Sequence, residues 1–101
     1  RDWGWAEEYV EAMRLMLNSP TPQNYIIATG KTVSLEYFVD GVFRFFDMDY
    51  KNFIQINKAF IRPNEISEIN LDAQLIEHDL GWKATSKIDE IIVKLCTSSI
   101  N

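Results

Sequence analysis

Arg62-Pro63-Asn64-Glu65 is the stretch whose residue types and spacing suggest chemistry. Proline restricts the residue before it to extended backbone, so Arg62 is held on a stiffened loop. From there its planar guanidinium can present two parallel donors to a phosphate. Glu65, three residues on, can accept hydrogen bonds from vicinal sugar hydroxyls. Together the two suit a nucleoside diphosphate and its ribose. A surface salt bridge is the commoner use of such a quartet when spacing alone is weighed. A second unusual stretch, Arg1-Asp2-Trp3-Gly4-Trp5, crowds two tryptophans and a glycine ahead of a helix, and an aromatic core plug is its plain structural reading.

Other chemistries find no residues. Glycines stand only at 4, 30, 41 and 81, which builds neither a dinucleotide loop nor a P-loop, so no cofactor-binding residue is assigned. None of the four tyrosines is followed four positions later by lysine, and His78, the only histidine, has no partner spacing for a triad. No catalytic residue is assigned. No His/Cys cluster has ligand spacing and Asp47 with Asp49 offers too few oxygens for calcium, so no metal site is assigned either.

The elements that must position Arg62 and Glu65 belong to one domain. The chain has 101 residues, 47% hydrophobic and 25% charged, the balance of a globular protein. Its net charge of -5, with ten basic residues scattered and forming no run, argues against nucleic acid or an anionic membrane as partner. No apolar run approaches the ~20 residues of a membrane helix. Cys96 is the single cysteine, which excludes an intrachain disulfide and points to a cytoplasmic setting. The chain opens at Arg1 without a Met and without a signal-peptide pattern, and is read as a cut through a longer protein.

Hydrophobic spacing predicts a helix over 6–18, ended by Pro20 and Pro22. Tyr25 to Ala28 reads as a buried strand closed by Gly30. Ser34 is expected to cap a second helix with a wide stripe from Leu35 to Phe46, and Gly41 inside it implies close packing. Phe53 to Ile56 and Glu68 to Leu71 read as further short strands around a loop. Asp72 is expected to start a third helix that stops at Gly81, and Ser86 to cap a fourth, with Asp89 completing a capping box. Ile88, Ile91, Ile92 and Leu95 would form the buried face of that last helix. The expected class is α/β, helix-rich with a small sheet.

Five stretches in one order carry a resemblance: Arg1-Asp2-Trp3-Gly4, Tyr9 to Met13, Ile27-Ala28-Thr29-Gly30, Arg62-Pro63-Asn64-Glu65 and Leu80-Gly81-Trp82-Lys83. Over essentially its whole length the chain resembles the C-terminal part of the GDP-mannose 4,6-dehydratases, which are extended short-chain dehydrogenases. Leu-Gly-Trp is shared by many nucleotide-sugar enzymes; the Arg-Asp-Trp-Gly and Arg-Pro-x-Glu stretches are more specific.

The resemblance implies that residues 1–101 are a substrate-binding fragment severed from an NADP-binding Rossmann domain. It implies a parent enzyme that oxidises C4 of GDP-mannose, eliminates water across C5 and C6 and returns the hydride to C6, giving GDP-4-keto-6-deoxymannose. It further implies tightly held NADP, a homo-oligomeric parent, and catalytic residues upstream of Arg1, so that the fragment alone is inactive. Carried over by position, Arg62 and Arg1 become diphosphate ligands and Glu65 a partner of the guanosine ribose. Trp5 stands where the family usually has His, Phe60 where Tyr is common, and Ala84 where Pro is usual. A related GDP-sugar epimerase or reductase, or a stand-alone binding module, is the alternative. For a severed domain, apolar surface around Trp3, Trp5 and Phe60 is expected.

Overall fold

A computed structural model describes residues 1–60, 62 and 68–100. Four α-helices carry the chain: α1 Ala6–Leu17, α2 Leu35–Phe45, α3 Gln74–Leu80 and α4 Ile88–Ser99. Two 3-10 turns, Tyr50–Asn52 and Lys58–Phe60, follow α2.

The helix boundaries follow local chemistry. Glu7 and Glu8 lie in the first turn of α1, at the positive end of its dipole. The Ser34 side chain accepts from the Tyr37 N–H at 3.0 Å and caps α2 as expected. Asp72 accepts from the Gln74 N–H at 2.9 Å ahead of α3. Gly81, at φ +69°, ends α3 in the left-handed conformation that its sequence position implies.

Three expectations are corrected. The helix-rich part of the α/β class is observed, but the sheet is not: the described residues contain no strand, only an isolated antiparallel bridge between Asp2 and Thr32. The runs at 25–28, 53–56 and 68–70 have strand composition, yet a strand also requires a ladder partner, and no two of them form one. The residue capping α4 is Lys87, not Ser86, and it makes no side-chain cap bond. Ser86 is drawn instead to Glu8, to which its N–H donates at 2.9 Å. On α4 itself, Ile91, Ile92 and Cys96 are buried, whereas Leu95 is exposed.

Two cores result. In one, Ala12, Ile76 and Trp82 are buried, with Tyr9, Tyr25 and Ile27 packed against them, joining α1 to α3 and the segment after it. In the other, α2 packs on α4. Gly41 is the contact point: an ideal Cβ there would stand 2.7 Å from Cδ1 of Ile92. Residues 3–5 tie the cores together. The Trp3 ring lies 4.8 Å from that of Phe38 on α2, and Lys94 of α4 sits 5.0 Å over the Trp5 ring.

The molecule is a slab of 52 × 38 × 18 Å with a radius of gyration of 16.7 Å. A compact chain of this length would have about 13 Å. Much apolar surface is left open, including Leu17, Phe53, Ile56 and Phe60, the last 81% exposed. Of the three residues expected to mark an open face, Phe60 is exposed while Trp3 and Trp5 are half-buried.

Gly41→Val inserts branched carbons between two helices that already touch. It should destabilise the protein by about 1–3 kcal/mol, read as a lower urea midpoint with unchanged helical content; a midpoint at or above wild type would refute the close packing.

Candidate functional site

Arg1 is held by the backbone. Its terminal amine donates to the Val33 carbonyl at 2.8 Å, and the Val33 N–H returns a bond to the Arg1 carbonyl at 2.9 Å. Asp2 then locks the crossing. Its carboxylate accepts from the Thr29 N–H at 3.0 Å, the Thr29 hydroxyl at 2.7 Å and the Gly30 N–H at 2.9 Å. Gly30 has φ +81°, a conformation that glycine adopts without strain, and this turns its N–H onto the carboxylate. Thr32 donates its hydroxyl to the Ile69 carbonyl, so the same crossing also holds the segment at 68–70.

A second clasp holds α1. The Glu8 carboxylate accepts from the Thr85 N–H at 2.6 Å, the Thr85 hydroxyl at 3.1 Å and the Ser86 N–H at 2.9 Å. The Glu8 carbonyl accepts from the Trp82 indole at 2.9 Å. Burial alone would raise the carboxyl pKa, but the hydrogen bonds from Ser86 and Thr85 outweigh it and bring it from 4.5 down to about 2. Tyr9, the next residue, is raised by burial and then by the charges of Asp2 and Glu8. Its ring fills the space beside Gly4, where any Cβ would collide with it, and meets the Trp82 ring edge-on at 5.9 Å. Composition and spacing gave no sign of this role for Glu8, which reads as an ordinary first-turn acid.

The residues singled out by motif therefore divide. Asp2, Gly4, Gly30, Gly81 and Trp82 build the frame. Arg1 and Arg62 are exposed, Arg62 beyond the 3-10 turn at Lys58–Phe60. Glu65 lies outside the described residues. His78 pairs with its neighbour Asp79 at 2.9 Å on an exposed surface. Among the described residues no group of acidic, His or Cys side chains is arranged to hold a metal ion.

The frame thus places Arg1 beside the Asp2 crossing and leaves both Arg1 and Arg62 exposed. The sequence profile of the GDP-mannose 4,6 dehydratase family matches residues 1–95, and the chain belongs to that family. GDP-mannose 4,6 dehydratase 1 of Arabidopsis thaliana is 35% identical over 92 residues, which are 91% of this chain and 26% of that protein. The GDP-mannose 4,6 dehydratase of Drosophila melanogaster is 31% identical over 99% of this chain and 30% of its own length. For the Homo sapiens enzyme of the same name the figures are 28%, 99% and 32%. The chain spans about a quarter to a third of the length of the curated relatives it matches.

Glu8→Gln keeps the shape of the clasp but turns an amide toward donors. It should cost about 1–3 kcal/mol at neutral pH. Because the folded-state pKa is depressed, the Glu8 contribution is complete above about pH 4.5 and is lost as pH falls toward about 2. The stability gap between wild type and Glu8→Gln should close over that window in denaturant titrations; a gap independent of pH would remove the carboxylate from the account.

Proposed function

We propose that this chain is the substrate-binding part of a GDP-mannose 4,6-dehydratase that converts GDP-mannose to GDP-4-keto-6-deoxymannose. The observation that carries the reading is the Asp2 clasp. It spends three hydrogen bonds on fixing the residue next to Arg1, within a chain whose family match runs from residue 1 to 95.

In this reading Arg1 and Arg62 neutralise the diphosphate and Glu65 accepts from the ribose hydroxyls. Paired guanidiniums suit a diphosphate because each offers two parallel donors in a plane. Holding the non-reacting GDP end rigidly orients the hexose, so binding energy far from the reaction lowers its barrier. This chain contributes position; the groups that react with the hexose belong to the remainder of the parent.

NADP does not fit the residues described. Two of the four glycines are filled against side chains, Gly4 by Tyr9 and Gly41 by Ile92, and the other two each serve a turn. No cradle for a dinucleotide is left among them, so we assign the cofactor to a Rossmann domain elsewhere in the parent. The exposed run from Phe53 to Phe60 and the unpartnered extended segments suit packing on such a domain, where the segments at 25–28 and 68–70 would find ladder partners and complete an α/β fold. A homo-oligomeric parent is part of the same proposal. No described helix is long and apolar enough to cross a membrane. The buried free thiol of Cys96 suits a reducing, cytoplasmic compartment.

In the full-length parent, Arg62→Ala should raise the KM for GDP-mannose about 10–100-fold, the loss of a charge-assisted contact of about 1.5–3 kcal/mol. The 101-residue chain alone, supplied with GDP-mannose and NADP, should give no product. Unchanged KM and kcat in the variant, or turnover by the isolated chain, would overturn the reading.

A further inference from the structure

The basic residues are scattered along the sequence, but the fold gathers three of them. Lys31, Lys83 and Lys87 line one hollow of about 640 Å³, walled by Trp3 and entered at the start of α4. A hollow of this size lies within the range that holds small ligands, about 300–1,000 Å³. Asp89 is the one acidic residue on its lining, so three lysines against one aspartate leave a formal charge of +2 in a chain of net charge -5. The Asp89 carboxylate is already engaged, accepting from the Tyr37 hydroxyl at 2.6 Å. The three ammonium groups have neither a hydrogen-bond nor an ion-pair partner among the described residues.

Two further features point the same way. The first turn of α4 opens at this rim without a side-chain cap, so its N–H groups and dipole add positive potential. Trp3 walls the hollow, and its indole N–H, which is buried, lacks an acceptor among the described residues. Like charges gathered in a concave wall repel one another, and an oxyanion relieves that repulsion.

We propose that this hollow is an anion site for a small phosphate-bearing molecule, formed by Lys31, Lys83, Lys87 and the start of α4 beside Trp3. Neither Arg1 nor Arg62 is on its lining, and it does not depend on the proposed reaction. Lysines rather than arginines form it, so it selects charge more than planar geometry.

Inorganic pyrophosphate is the probe, with binding followed by calorimetry and by the indole N–H signals in a nitrogen–proton spectrum. Pyrophosphate should move the Trp3 indole signal and leave that of Trp82, which is bonded to the Glu8 carbonyl. The double variant Lys83→Gln/Lys87→Gln should weaken pyrophosphate at least ten-fold while circular dichroism stays unchanged, since both side chains are exposed. A control with the same charge change away from the hollow, Lys51→Gln/Lys58→Gln, should weaken it less than two-fold. Equal weakening by the control would reduce the effect to net charge and overturn the site. An equal loss in Arg62→Ala would transfer binding to the other wall, overturning this site while leaving the proposed function intact. No shift of the Trp3 signal at millimolar pyrophosphate would also overturn it.

Discussion

The Glu8 carboxylate is the interaction on which the remaining structure depends. Three donors from residues 85 and 86 converge on it, and the Trp82 indole reaches the carbonyl of the same residue. This sets the depth of Trp82 against α1, and with it the first core. It also sets where α4 begins, because the residue that would cap that helix is committed elsewhere. Asp2 does the equivalent work at the other crossing, where the 29–33 segment is pulled against the chain start. A carboxylate with several backbone donors is a geometric constraint as well as a favourable contact. It fixes both the distance and the orientation of the segments that it joins.

Family motifs are often read as lists of ligands. Here most of the motif residues hold other motif residues. Gly4 is small because Tyr9 must lie beside it, Trp82 fills a core, and Asp2 ties the turn at Gly30. Among the described motif residues Arg1, Arg62 and Lys83 are exposed. The division makes sense for a surface that must present charge without collapsing on it: the rigid part is apolar or internally hydrogen-bonded, and the charged part reaches solvent.

The helices were legible in the sequence because their signals are local. The spacing of Ala6 to Leu17, the Ser34 cap and the stop at Gly81 each need only a few neighbouring residues. The strands were not, because Tyr25 to Ala28 supplies composition while its pairing depends on partners distant in sequence. Ser86 failed as a cap for the same reason: Glu8, 78 residues away, holds its N–H, and its hydroxyl oxygen accepts from Lys94 instead of from the helix backbone. Of the proposed ligands, Arg62 and Glu65 were visible as a quartet around a proline. The lysine hollow was invisible, since its residues come from positions 31, 83 and 87 and meet only after folding.

The long reach of the Glu8 clasp has a further consequence for how the chain is made. The carboxylate closes a loop of 77 residues, and closing so long a loop carries an entropy cost that is met only when the contacts at its end form together. During synthesis α1 therefore emerges long before the segment that fixes it. Its core-facing residues Tyr9, Ala12, Leu15 and Met16 lack their partners Ile76 and Trp82 throughout that interval. A nascent chain of this design cannot complete its first core until residue 86 has left the ribosome, and α1 stays open to chaperones and to misassembly until then.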